Sequence, residues 1–175
     1  MKKDFIMGVI FVILLTIITA IMLPRSNKEK YSKELNEIIN KNKPRGDLVT
    51  IEYSNSGDML GNVDVIELKK TEDKYILTTK YAQTHNDEIE ETSKEISKKD
   101  WDNIQDKIDK YNFAMFSTLE MEDIMVYDAA TEVIKLTYTK DNIGDYYNIY
   151  QYMKMPDDAR KVYNEIISDI KALAK

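Results

Sequence analysis

The sequence lacks cysteine and contains little histidine, glycine or proline. It has no Cys, one His, five Gly and three Pro among 175 residues. A chain without Cys cannot form a disulfide, a thiol nucleophile, a zinc–thiolate centre or a lipid-modified cysteine. One His excludes a multi-histidine metal site, and the chain carries no glycine-rich phosphate or dinucleotide fingerprint. We therefore expect no cofactor.

The charge is of the wrong sign for a nucleic-acid-binding protein. The chain has 25 Lys and Arg against 31 Asp and Glu, which gives a formal net charge of −6. Nucleic-acid binding needs a basic surface, so no nucleic-acid partner is expected. The hydrophobic fraction of 43% is typical of a chain that folds around a core.

One long hydrophobic run is present near the N-terminus. Residues 5–23 read FIMGVIFVILLTIITAIML and carry no charged side chain. As a helix they would extend about 28 Å, close to the roughly 30 Å of a bilayer core. A cleaved signal peptide would end in small residues, whereas Ile21, Met22 and Leu23 are bulky. The pattern predicts an uncleaved transmembrane anchor that contacts the lipid bilayer, preceded by a short tail at residues 1–4.

Basic residues lie on both sides of this predicted anchor. Lys2 and Lys3 favour a cytoplasmic N-terminus, but Arg25 and Lys28 follow the run closely, so the positive-inside rule gives no clear answer. Since a very short tail usually stays inside, we expect a single-pass protein of the cell membrane with its C-terminal domain outside.

Residues 24–46 are highly charged and predict a stalk that contains a short helix. Leu35 and Ile38 belong to one narrow apolar stripe, and Pro44 and Gly46 end the pattern. Two interpretations remain open: a docking helix close to the membrane, or a spacer. The remaining residues 47–175 have the size of one domain.

The domain sequence predicts four strands, a helix, two strands and a second helix. Polar and apolar residues alternate in the strand segments, and short polar turns connect them. The apolar residues of both helices recur at helical spacing. We therefore predict an α+β fold, with a mostly antiparallel sheet of about six strands in the order ββββ-α-ββ-α. Two amphipathic helices would cover one of its faces.

Two motifs are candidates for catalysis or metal binding. His85 lies near Asp87 in a polar loop, where it would be either a general base, a metal ligand or a solvated loop residue. Ser168 and Lys171 match the S-x-x-K motif of serine enzymes, but the companion motifs S-D-N and K-T-G are missing. We expect no catalytic residue and no metal site.

The tyrosines of the last predicted strand, Tyr146 to Met153, form the most interesting pattern. Alternation places Tyr146, Tyr150 and Tyr152 on the face away from the core. Tyrosine is enriched at binding surfaces, so this stripe is a candidate contact for a protein, a peptide or a cell-wall glycan. The alternative is ordinary cross-strand pairing on a solvated sheet face. Met59 and Leu60, at a loop tip, are a second candidate contact.

One resemblance accompanies these patterns. The loop Ser56–Asn62 between two strands, together with Asp128–Ala129 before a later strand, resembles small surface or lipoprotein domains of Gram-positive bacteria. The resemblance implies a location in the cell envelope and implies no activity.

These observations favour three functions in decreasing order. The first is a non-enzymatic, membrane-anchored extracytoplasmic binding or accessory module of a bacterial envelope. The second is a structural subunit of a membrane-associated envelope complex. The third is an enzyme of unrecognised type, which would need a concave pocket with clustered carboxylates.

Overall fold

The computed structural model describes residues 31–57, 60–123, 131–141 and 143–175. The predicted anchor at residues 5–23, Met59 and the pair 128–129 lie outside the described residues. The chain divides into two compact units, Met1–Tyr31 and Ser32–Lys175. Within the described residues, no helix is both long enough and apolar enough to cross a membrane.

The second unit is an α+β domain built on one six-stranded sheet. The sheet order is β4-β3-β2-β1-β5-β6, and every neighbouring pair is antiparallel. This confirms the predicted fold class and the predicted order of the sheet strands and the two long helices. The elements in chain order are α1 (Lys33–Ile39), β1 (Asp47–Ser56), β2 (Val63–Lys70), β3 (Tyr75–Ala82), β4 (Glu90–Ile96), α2 (Lys98–Lys110), a 3₁₀ helix (Phe113–Thr118), β5 (Thr131–Lys140), β6 (Ile143–Tyr150) and α3 (Asp157–Leu173).

Helices α2 and α3 pack on the same face of the sheet, as predicted. The ring of Trp101 on α2 lies 5.6 Å from that of Tyr75 on β3. The hydroxyl of Tyr163 on α3 donates to the carbonyl of Glu132 on β5. We name this side the helix-covered face. Its central side chains are 0–1% exposed: Ile51, Tyr53, Leu68, Leu77, Leu136 and Ile149.

The opposite side is named the open face. It carries every second residue of each strand, including Glu52, Lys135, Tyr146, Asn148 and Tyr150. Apart from Ala82, the strand side chains described on this face are half-buried or exposed. A sheet with one packed and one solvated face is usual for antiparallel strands.

Helix α1 is part of the domain and is not separated from it. The predicted domain began at residue 47, whereas the compact unit begins at Ser32. Leu35 and Ile38 are 0% and 3% exposed. A seven-residue helix is not stable alone in water, so burial of these two side chains holds it in place. The spacer interpretation therefore does not describe residues 33–39.

The irregular apolar segment after α2 fills a gap in the core, as the sequence predicts. Its first part is the 3₁₀ helix, in which Phe113 and Phe116 are fully buried. Their ring centroids lie 4.7 Å apart, and Phe113 also contacts Tyr163 of α3.

Candidate interaction surface

Strand β6 carries two of the predicted contact tyrosines. Tyr146 and Tyr150 both lie on the open face, with Asn148 between them. Tyr146 is 65% exposed, Asn148 is exposed and Tyr150 is half-buried. The Nζ of Lys135 lies 5.6 Å from the centroid of the Tyr146 ring, within the range of a cation–π contact.

Tyr152 does not belong to this stripe, because β6 ends earlier than predicted. The strand stops at Tyr150, and the Met153 N–H donates to the Tyr150 carbonyl to close a turn. The Arg160 guanidinium on α3 donates to the carbonyls of Gln151 and Met153. These contacts hold the chain in a turn, so strand alternation no longer sets the direction of Tyr152.

The second predicted contact is remote from the first. Met59 lies outside the described residues, and Leu60 is 57% exposed. Leu60 follows the end of β1, whereas Tyr146 pairs through Thr137 with Thr50, near the other end of that strand. Six strand residues separate these levels, or about 20 Å. The structure therefore does not combine Leu60 and Tyr146 in one surface.

His85 connects two loops. Its N–H donates to the Leu60 carbonyl at 2.9 Å, and its Nδ1 lies 3.2 Å from the same oxygen. Gly61 lies beside it with φ +70°, and a Cβ there would meet the His85 Cβ at 2.9 Å. Among the described residues, no group of three His, Asp or Glu side chains is arranged to hold a metal ion.

The most connected polar cluster joins α3 to the helix-covered face. The Tyr53 hydroxyl donates to Glu132 Oε1 at 2.8 Å, and Lys171 Nζ lies 3.3 Å from the same oxygen. The same Nζ lies 4.6 Å from the centroid of the Tyr53 ring. Burial, together with the hydrogen bond to Glu132, raises the pKa of Tyr53 above its ordinary value.

This cluster stabilises the packing of α3 and leaves the S-x-x-K motif without a serine contact. Lys171 is engaged with Glu132 and Tyr53, and Ser168 is exposed. A nucleophilic serine needs a base within hydrogen-bond reach. No hydrogen bond of Ser168 to Lys171 is present, which agrees with the interpretation that the motif arises by chance.

The outer edge of β6 has a feature that sequence patterns do not show. The Gln151 N–H donates to the Glu132 carbonyl at 3.0 Å, and the register pairs Ile134 with Ile149. Hydrogen-bonded pairs alternate along an antiparallel ladder. Odd-numbered residues of β6 therefore bond to β5, and the N–H and C=O groups of Gly144, Tyr146 and Asn148 point away from the sheet.

These outward groups have no hydrogen-bond partner among the described residues. The edge is occupied only beyond the strand, where the Glu122 N–H donates to the Tyr152 carbonyl and the Lys154 N–H donates to that of Glu120. The unpaired stretch thus runs from Ile143 to residue 149. Ile143 is 71% exposed, so two exposed apolar side chains flank the unpaired groups, one on each face.

The other edge strand is protected by charge. Four of the seven residues of β4 are charged, and six of the seven are exposed. Two of these residues form ion pairs with β3 or the turn before it, Lys80–Glu91 and Lys74–Glu95. Charged side chains on an edge strand discourage pairing with another chain. Strand β6 has one charged residue in eight, Asp145, and lacks this protection.

Comparison with protein-family models and with curated proteins finds no match for this chain. What the domain does therefore has to be inferred from its surfaces. Among those described, the β6 edge is the one that combines unpaired backbone groups with exposed aromatic side chains.

Proposed function

We propose that this chain is a membrane-anchored extracytoplasmic module that binds an extended polypeptide along β6. The observation that carries the proposal is the row of outward N–H and C=O groups at Gly144, Tyr146 and Asn148. An extended segment that adds to an open sheet edge gains its affinity from main-chain hydrogen bonds. It gains specificity from alternate side chains, which meet the two faces of the sheet.

The tyrosines supply the side-chain contacts on the open face. A segment bound beside β6 would place every second side chain next to Tyr146 and Asn148. Tyrosine buries a large area with few rotatable bonds and keeps a hydroxyl for hydrogen bonding. The Lys135 ammonium beside Tyr146 adds a positive charge at the same place.

The proposed location rests on the N-terminal sequence. Residues 5–23 are uncharged and match the thickness of a bilayer core. An anchor of this kind would confine the domain to the membrane surface and raise its local concentration there.

Labelling of an introduced cysteine tests the location. Asn86 is exposed in the loop after β3, and the chain has no native Cys. In an Asn86→Cys variant, a membrane-impermeant maleimide should label intact cells as fully as lysed cells. Labelling only after lysis would place the domain in the cytoplasm and contradict the extracytoplasmic proposal.

A photo-crosslinker at the edge of β6 tests the binding site. We would incorporate p-benzoyl-phenylalanine in place of Tyr146 in the full-length chain and irradiate living cells. The control carries the same group in place of Tyr81, a tyrosine on β3 that is 52% exposed. A discrete adduct should form from position 146, and Asn148→Pro should abolish it, because proline removes one outward N–H. Equal adducts from both positions, or none, would contradict the proposal.

A further inference from the structure

The unpaired edge of β6 is symmetric about one residue. Its outward groups belong to Gly144, Tyr146 and Asn148, so Tyr146 lies at the midpoint of the unpaired stretch 143–149. Two copies of such a strand, related by a twofold axis at Tyr146, would pair antiparallel. Each outward residue of one copy would then face an outward residue of the other, with Gly144 opposite Asn148 and Tyr146 opposite Tyr146.

We infer that the extended segment bound by β6 is the β6 strand of a second copy of this chain. This inference rests on the proposed function, because it names the partner of the same edge. Among the possible antiparallel registers, the one centred on Tyr146 satisfies the outward groups of all three residues in both copies. The interface is isologous, which is the commonest arrangement in homodimers.

The ends of the strand fit this register. Ile143 begins β6 just after the hairpin turn at Asp141, and it would face residue 149 of the second copy. Beyond residue 150, the outer side is occupied by residues 120–122, which bond to Tyr152 and Lys154. The strand from the second copy therefore ends where the neighbouring segment begins, and the two do not compete for the same groups.

The charges also fit a second copy. Asp145 would face Tyr147 of the other chain, so no two like charges are directly opposite. Pairing of two β4 strands would instead bring together the charges of Glu90, Glu91, Lys94 and Glu95. On the open face the two Tyr146 rings would form a cross-strand aromatic pair, each with a Lys135 ammonium on its sheet side.

The contact area indicates a weak dimer in dilute solution. Seven paired residues extend only about 24 Å, whereas stable complexes usually bury roughly 800 Å² per partner. We therefore expect pairing to become substantial where the proposed anchor confines the chains to one membrane surface.

Cysteine crosslinking of the full-length chain tests the register. The Cα atoms of residue 146 in the two copies would lie about 5.5 Å apart, within the roughly 4.4–6.8 Å that a disulfide spans. In phosphatidylcholine–phosphatidylglycerol vesicles treated with copper–phenanthroline, Tyr146→Cys should form a disulfide-linked dimer. The yield should be about tenfold above that of the two controls, because only this position is preorganised for the bond.

The controls separate specific pairing from collision. Asn148→Cys lies on the same strand, but its two copies would be about 14 Å apart in this register. Tyr81→Cys lies on β3 and is 52% exposed in the parent chain. Adding Asn148→Pro to Tyr146→Cys should reduce the dimer to the level of the controls. The fold of that variant is checked by the fluorescence of Trp101, the single and fully buried tryptophan.

Equal yields at the three positions, or no dimer at position 146, would overturn the inference. The photo-crosslinking experiment decides separately on the proposed function. An adduct at position 146 with the mass of two chains supports a second copy. An adduct with a different protein preserves the binding edge and overturns the self-pairing.

Discussion

At the scale of single residues, Asn112 is the side chain on which most of the N-terminal docking depends. It is the one buried polar residue in the described core, 3% exposed, and it adopts a left-handed backbone with φ 49°. Its amide Nδ2 lies within 2.8–3.4 Å of the carbonyls of Ile38, Ile39 and Lys41. One amide group thus satisfies the C-terminal end of α1, whose carbonyls have no partners within the helix.

Replacing Asn112 should separate these two roles. We expect Asn112→Ala to lower the free energy of unfolding by about 2–4 kcal/mol, because it removes the hydrogen bonds and leaves a Cβ at positive φ. Asn112→Gly removes only the hydrogen bonds and should fall between Ala and the parent. Urea unfolding followed by Trp101 fluorescence measures both. A glycine variant as stable as the parent would mean that the amide contributes nothing.

At the scale of elements, α1 is held at its N-terminal end by the first turn of α3. The Ser32 N–H and Oγ donate to the two carboxylate oxygens of Asp158 at 2.7 and 3.0 Å. Burial alone would raise the pKa of Asp158, but the hydrogen bonds from Ser32 outweigh it and lower the pKa. The ionised carboxylate is therefore the form that stabilises the folded chain.

The Asp158 contact predicts a dependence of stability on pH. A lowered pKa in the folded state means that the contribution is present above the ordinary value of about 4 and is lost as the pH falls through the folded value. We expect Asp158→Asn to be less stable than the parent at pH 7, with the difference shrinking below about pH 4. Asp157→Asn is the matched control, because Asp157 is in the same helical turn and makes no bond to Ser32. Denaturant unfolding between pH 2.5 and 7 measures all three proteins. The same pH dependence in both variants would assign the effect to the helix dipole.

At the scale of the whole molecule, the boundary of the folded unit lies at Ser32. The core combines α1, the 3₁₀ helix, the sheet and α3 into one body. The same 3₁₀ helix packs against both α1 and β6, so the N-terminal helix and the proposed binding edge share a neighbour.

Two truncations test this boundary. A chain of residues 32–175 should retain the unfolding midpoint of the domain in the full-length protein. A chain of residues 42–175 should be less stable by about 2–4 kcal/mol, because it loses the buried Leu35 and Ile38 and recovers only the chain entropy of α1. Equal midpoints for the two truncations, measured by thermal unfolding, would show that α1 contributes nothing to the domain.

The sequence by itself determined the secondary structure and the fold class of this protein. Alternation along the strands and the Ser97 cap of α2 act over a few residues, so they can be read from the chain. The tyrosines of β6 were found in the same way, because a two-residue period places Tyr146 and Tyr150 on one face.

Only the tertiary structure decided where β6 ends, which of its backbone groups are unpaired, and that α1 belongs to the domain. The end of β6 depends on Arg160 of α3 and on residues 120–122. The docking of α1 depends on Asp158 and Asn112, which are 126 and 71–74 residues away in sequence. Such contacts join distant parts of the chain only once the sheet register and helix packing are set, so local patterns do not encode them.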